Sequence, residues 1–237
     1  MKSSSYTVVL SHTSHPGNVG ACARAMKTMG ITDLRLVNCV DYKNETAYNR
    51  SSGADDVLFN AQEFSSLEEA LSDCHLAIGT TARSRKIPNP PSLCASQLPV
   101  FLQDNQSSSP IALVFGNEQN GLDNAEISLC HMQVTVPTSP DFSSLNLASC
   151  VQIITFLAMQ MGNNQSPAAL HHEIASHQKI SALTNTLSRY AFSKTHKKSE
   201  IDAAKFRQLL FRLRPNDEEI DFLHGIFKRL LKTDPMS

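Results

Sequence analysis

The chain has 237 residues, a formal net charge of −1, 41% hydrophobic and 18% charged residues. That is length for one large domain, or one domain with an appendage, and apolar content for a packed soluble protein. The longest apolar runs stay under ten residues, which excludes a spanning helix, and Met1–His12 has no apolar core long enough for a signal peptide, so a cytoplasmic location is expected.

Tyr6–Ser11 reads as a first strand, β-branched and aromatic. His12–Asn18 is a turn-rich connection, and Val19–Met29 is a Pro-free helix stopped by Gly30. Leu34–Val37 is the next strand. Residues 67–72 read as helical, and His75–Ile78 as a short strand feeding Gly79-Thr80-Thr81-Ala82-Arg83-Ser84-Arg85. A Pro-rich loop covers 88–91 and a helix 92–103. Ile111–Phe115 is a buried strand that empties into Gly116-Asn117-Glu118, with Gly121-Leu122 just beyond. A short helix follows near Asn124–Cys130. Gln133–Val136 is a last strand, running into Pro137 and a polar loop that ends Ser143-Ser144-Leu145-Asn146, and 146–162 is an apolar helix. Past the polar Gly162–Pro167 linker no strand signal remains. Residues 168–194, 199–212 and 217–232 read as amphipathic helices, separated by the Lys194–Lys198 cluster and by Arg214-Pro215-Asn216.

Strand and helix alternating at this spacing predict an α/β fold, a mainly parallel sheet with helices on both faces. Two units are expected: residues 1–164 and a helical extension over 165–237. Residues 1–164 hold 9 Lys and Arg against 14 Asp and Glu, a net −5; residues 165–237 hold 12 against 8, a net +4. A basic tail on an acidic body points to a polyanionic partner, unless its cations only solvate a helical surface.

No Gly-x-Gly-x-x-Gly follows the first strand, and there is no Walker-type loop and no Gly-x-Ser-x-Gly elbow. Cys22, Cys39, Cys74, Cys94, Cys130 and Cys150 lie too far apart for a zinc pattern and read as buried thiols in a reducing compartment. His12 and His15 have no third ligand nearby and read as loop histidines; His171, His172 and His177 share no helical face and read as solvated.

The stretch 111–148 places the site, because ligands of open α/β sheets sit past the carboxyl ends of the strands. Arg24 is the only charged residue between His15 and Lys27, on a helix of Ala, Cys, Val and Met. It either pairs with an acid or snorkels, or its rigid fork faces a ligand phosphate. Glu118 is a plain loop acid, or a carboxylate that orients Arg24 or holds backbone. Ser144 and Asn146 suit helix capping, which is compatible with a ligand at the same helix start.

Together these pieces carry a resemblance. His15-Pro16-Gly17-Asn18-Val19-Gly20-Ala21 with Ala23-Arg24-Ala25-Met26, then Val114-Phe115-Gly116-Asn117-Glu118 with Gly121-Leu122, then Val136-Pro137-Thr138 with Ser143-Ser144-Leu145-Asn146-Leu147-Ala148 resemble the three motifs of the SpoU-class RNA 2′-O-ribose methyltransferases of the SPOUT superfamily. Gly79–Arg83 and the tail piece Phe206–Pro215 are similar to the branch that acts on nucleotide 32 of the tRNA anticodon loop. The resemblance implies a deep C-terminal trefoil knot in the catalytic domain, a homodimer with its active site at the subunit interface, and S-adenosylmethionine as cofactor. On matching positions it assigns Thr80, Thr81, Ala82, Gly116, Val136, Ser143, Ser144 and Leu145 to the cofactor, and Arg24, Asn18, Glu118, Ser144 and Asn146 to the reaction. It implies tRNA as substrate and no metal, membrane or DNA. One departure stands out: the branch commonly reads Gly-Arg-Glu-Arg-Thr-Gly where this chain has Gly116-Asn117-Glu118-Gln119-Asn120-Gly121. Two cations are missing, which keeps open another RNA target and an RNA-binding relative without catalysis.

Overall fold

The computed structural model describes residues 6–82, 90–141, 143–160, 175–191 and 199–232. Among these the strands are β1 (Tyr6–Ser11), β2 (Asp33–Val37), β3 (Gln62–Phe64), β4 (Leu76–Thr80), β5 (Ser92–Cys94), β6 (Ile111–Phe115) and β7 (Met132–Thr135). They form one parallel sheet in the order β3-β2-β1-β6-β4-β7-β5. The helices are α1 (Pro16–Thr28), α2 (Glu45–Ser51), α3 (Asp55–Phe59), α4 (Leu67–Ala70), α5 (Leu98–Gln103), α6 (Asn124–Leu129), α7 (Leu147–Met159), α8 (His177–Ala191), α9 (Ser199–Leu213) and α10 (Asp217–Lys232).

The two-residue period of a strand builds two cores. Tyr6, Val8 and Leu10 of β1 pack with Val19, Cys22 and Met26 of α1 and with Val151 and Ile154 of α7. Val9, on the other face, packs with Leu67 and Leu71 around α4 and with Ile127 of α6. Both faces are therefore covered, as an all-parallel sheet requires.

Helix α1 starts three residues before the expected Val19. The His15 ring accepts from the Gly17 amide at 3.1 Å, and Pro16 opens the helix where its missing N–H costs nothing. At the far end the amides of Gly30 and Ile31 bond the carbonyls of Lys27 and Met26, and Gly30 takes the left-handed conformation this cap needs. The helix expected over 92–103 is corrected to a strand, a 3₁₀ turn over Ala95–Gln97 and the short α5. Ser92–Cys94 is drawn in as an edge strand by β7, with Leu93 opposite Val134, and tertiary pairing overrides the local pattern.

The expected Gly162–Pro167 linker and the expected helical residues 168–174 and 192–194 lie outside the described residues, as do His171 and His172. Helices α8, α9 and α10 share a core of Ile180, Leu183, Leu210, Phe211 and Ile220. That bundle rests on the body. His177 was expected to be solvated; the structure buries it completely. Its Nε2 donates to the Leu129 carbonyl at 2.9 Å, and the Phe211 ring stacks on the buried His131 at 3.7 Å between centroids. Helical-face geometry alone could not show that a neighbouring element would cover this face. No helix among the described residues is long and apolar enough to cross a membrane.

Candidate active site

Strand order decides where the crevice opens. From β1 the chain leaves through α1 toward β2 on one side; from β6 it leaves through α6 toward β7 on the other. β1 and β6 are neighbours, with Leu10 opposite Phe115, so their outgoing loops diverge and leave a cleft at their carboxyl ends. The expected cofactor residues meet beside it. Thr80, Thr81 and Ala82 after β4, Gly116 after β6, and Val136, Ser143, Ser144 and Leu145 after β7 line one cavity of about 210 Å³. Arg83, the last residue of the expected fourth block, lies outside the described residues.

Sequence reasoning did not assign Val134, Thr138, Leu147 or Cys150, which also line this cavity. Cys150 stands one helical turn past Asn146, so its side chain returns to the cavity floor. Burial pushes its thiol up to about 11, which leaves it an inert wall. Asn146 caps α7 as expected, with its side-chain oxygen accepting from the amides of Ala148 at 3.0 Å and Ser149 at 3.4 Å. Ser144 lines the cavity and plays no part in that cap.

The loop after β6 is a closed turn. Asn117 Oδ1 accepts from the amides of Gln119 at 3.1 Å and Asn120 at 2.7 Å, and the Asn117 carbonyl accepts from Gly121 at 3.0 Å. The turn folds back so tightly that a Cβ on Gly116 would lie 2.0 Å from Gly121 C and Leu122 N. Only glycine permits that approach.

Glu118 spans the cleft. Its Oε2 accepts from the Ser14 amide at 3.1 Å and from Ser14 Oγ at 2.9 Å, and its Oε1 accepts from Asn18 Nδ2 at 2.8 Å. The carboxylate thus ties the loop after β6 to the start of α1. Of the readings open from sequence, holding backbone is the one realised; the ion pair with Arg24 is not. Burial alone would raise its pKa, but hydrogen bonds from Asn18, its own amide and Ser14 outweigh that and hold it below the usual 4.5. Ser14 went unassigned because a serine in a Ser/His-rich turn carries no signal of its own.

Arg24 sits on the exposed face of α1; its carbonyl accepts from Thr28 Oγ1 at 2.8 Å, its guanidinium has no hydrogen bond or ion pair to another described residue, and it is not among the residues lining the cavity. Of the expected reactive set, one chain brings together Asn18 and Glu118, with Ser144 across the cavity; Asn146 acts through the helix start, and Arg24 stays outside. His12 and His15, expected as loop histidines, have local roles: His15 caps α1, and His12 lies 3.3 Å from Glu126.

Among the described residues lining the cavity, Glu118 is the only one of full charge, beside the apolar Leu122, Val134, Val136, Leu145 and Leu147 and the hydroxyls of Thr80, Thr81, Thr138, Ser143 and Ser144. Among the described residues that carboxylate faces no cation, which suits a ligand with a cationic centre better than a polyphosphate.

A doubly covered parallel sheet with a cleft of this kind defines an α/β enzyme that binds a small molecule past its strand ends. The chain belongs to the SpoU rRNA Methylase family, which matches residues 5–156. It is 38% identical over 232 residues to the tRNA (cytidine/uridine-2′-O-)-methyltransferase TrmJ of Klebsiella pneumoniae, covering 92% of this chain and 93% of that one. The TrmJ of Pectobacterium atrosepticum is 38% identical over 236 residues, covering 95% and 96%. The crystal structure of TrmJ from Z. mobilis superposes with a TM-score of 0.82 at 29% identity, over 95% of this chain and 98% of that one. The helical tail is thus matched along with the sheet.

Proposed function

We propose that the chain is an S-adenosylmethionine-dependent tRNA 2′-O-methyltransferase that modifies a cytidine or uridine ribose, nucleotide 32 of the anticodon loop. The observation that carries it is the cavity at the ends of β4, β6 and β7, joined to α1 by Glu118. Family membership and near full-length similarity to TrmJ proteins support the reaction class and the tRNA substrate. The position within the loop rests on the sequence motifs.

The lining residues fit the cofactor: an apolar wall for an adenosine, backbone and hydroxyl groups at three strand ends for its polar edges, and one carboxylate for a cationic centre. When bound, S-adenosylmethionine supplies an already activated methyl group. Thr80, Thr81, Ala82, Gly116, Val136, Ser143, Ser144 and Leu145 would hold it. The protein's task is then to aim the 2′-hydroxyl in line and to stabilise negative charge developing on its oxygen. The Arg24 guanidinium binds the adjacent phosphate through its rigid fork and polarises the hydroxyl, whose proton passes to solvent. Asn18 and Ser14, held by Glu118, shape the acceptor side.

Arg24 lies outside its own chain's cavity, so the reading includes a homodimer in which the guanidinium completes a site with a second copy. The exposed Phe156 (47%) and Met159 (43%) of α7, the helix packed against α1, support such an interface. A C-terminal trefoil knot in the catalytic domain, and an extension over 165–237 that grips RNA through its cations, belong to the same reading.

Methylation of total RNA, tRNA and ribosomal RNA together, with labelled cofactor, followed by mapping of the labelled nucleotide, tests the substrate; label in ribosomal RNA alone would refute it. Arg24→Ala is expected to abolish transfer while calorimetry still shows cofactor binding. Equal loss of both would make Arg24 structural.

A further inference from the structure

Within the turn after β6, one side chain supplies two of the closing bonds, while Glu118 ties the turn to α1. The Asn117 amide oxygen takes two main-chain N–H groups, those of Gln119 and Asn120, while its carbonyl takes a third from Gly121. Gly121 is in the left-handed conformation, φ +68°, and Asn117 and Gly121 pair across the turn. Every residue from Gly116 to Leu122 lines the cavity. The two amides are in an exposed loop and have no regular secondary structure to satisfy them, so a side-chain acceptor at position 117 decides whether the turn stays closed.

We infer that Asn117 is a positioning residue that preorganises the cofactor cavity: it closes the 117–121 turn before ligand arrives, so binding does not have to order it. This rests on the cofactor assigned under the proposed function. Position 117 needs a hydrogen-bond acceptor rather than a particular size of side chain. Asn117 acts here as an acceptor, a role open to Asp and in weaker form to Ser, but closed to Ala, which has no oxygen, and to Arg, which has only donors. In the pattern the sequence resembles, an arginine stands at this position; this chain holds its turn by a device an arginine does not possess. Ordering a loop on binding weakens affinity, and a loop already ordered removes that cost.

The test is calorimetric titration of the full-length protein with S-adenosylmethionine and S-adenosylhomocysteine, with steady-state methylation of tRNA alongside. Asn117→Ala is expected to weaken cofactor binding about fivefold, the worth of a neutral hydrogen bond or two in an exposed turn. Its kcat at saturating cofactor stays near that of the wild type, so the loss falls in KM for cofactor, and its thermal midpoint falls by no more than about 2–4 °C. Asn117→Asp, which keeps the acceptor, restores the affinity, and Asn117→Ser restores part of it without adding charge. Wild-type affinity in Asn117→Ala, or Asp and Ser variants no better than Ala, would overturn the inference alone. A wild-type protein that binds neither compound would overturn the functional reading, and this inference with it.

Discussion

Glu118 is the residue whose role the geometry states most sharply, and two substitutions separate the possibilities. Its carboxylate accepts one bond from Asn18 in a partly buried setting and two from Ser14 in an exposed one. A sheltered hydrogen bond to a charged group contributes about 1.5–3 kcal/mol, and an exposed one about 0.5 kcal/mol. Glu118→Ala therefore costs about 2.5–4 kcal/mol of the link between the two loops, which corresponds to roughly a hundred- to a thousandfold in transfer rate if the link positions the acceptor. Glu118→Gln behaves differently. Its amide oxygen keeps both bonds from Ser14, its NH2 faces Asn18, and the Asn18 amide turns over to accept. All three contacts survive without the charge, at a cost of about tenfold. The assay is single-turnover transfer of labelled methyl to tRNA, with cofactor binding measured on the same proteins. A Gln variant as inactive as Ala, with cofactor still bound, would refute the clamp and make the carboxylate a proton acceptor. The pH response has a definite sign. A carboxylate held below 4.5 contributes stability that is present above that value and is lost as pH falls through the folded value.

Gly116→Ala places a methyl 2.0 Å from the backbone of Gly121 and Leu122, so the turn must move by more than 1 Å; cofactor affinity should drop at least tenfold by calorimetry, and an unchanged Kd would refute the tight-turn argument. His131 and His177 are both buried and held below the ordinary value of 6.5, chiefly by desolvation, so each is neutral in the folded protein. Their folded values lie below the unfolded one, so stability is full above about pH 6.5 and declines as pH falls below it, by up to about 1.4 kcal/mol per pH unit for each histidine. Urea unfolding at pH 7.5 and 5.5 should show that loss, and His131→Gln should reduce it. The pair Lys205→Gln and Arg212→Gln removes two exposed cations of α9; the slope of log Kd for tRNA against log salt should flatten by about 1.4–1.8, and an unaltered slope would leave these residues off the RNA path.

Much of this was legible in the sequence, and the reasons differ by residue. The strand ends that make the cavity were visible because buried parallel strands are short apolar runs, and the small or hydroxyl residues after them mark where a ligand can approach the backbone. Asn146 was visible as a cap for the same local reason. What escaped depended on partners far along the chain. Helices α2 and α3 and strand β3, between Glu45 and Phe64, lie in a polar stretch with no clear period; β3 exists because it pairs with β2. Ser92–Cys94 looked helical because nothing local announces an edge strand. The role of Glu118 needed Ser14 and Asn18, about a hundred residues away in sequence. His177 looked solvated because its own helix gave it no cover; the cover comes from Phe211 and from the end of α6.

That last contact changes how the basic tail has to be understood. A helix leaves its final carbonyls without partners, and α6 ends at Leu129 just before β7. Gln208 Nε2 donates to the carbonyls of Ser128 and Cys130, both at 3.2 Å, and His177 donates to the carbonyl between them. The tail therefore supplies the cap that α6 lacks. The Ala77 amide meanwhile donates to His131 Nδ1, which sets that ring beneath Phe211 and ties the junction to β4, three residues before Thr80. Removing the tail would uncover three carbonyls and a buried imidazole at the root of two cavity-forming strands. A truncated protein would then lose cofactor affinity for reasons unrelated to RNA. Substitution of single exposed cations, which leaves Gln208, His177 and Phe211 in place, is the perturbation that tests whether the tail binds tRNA.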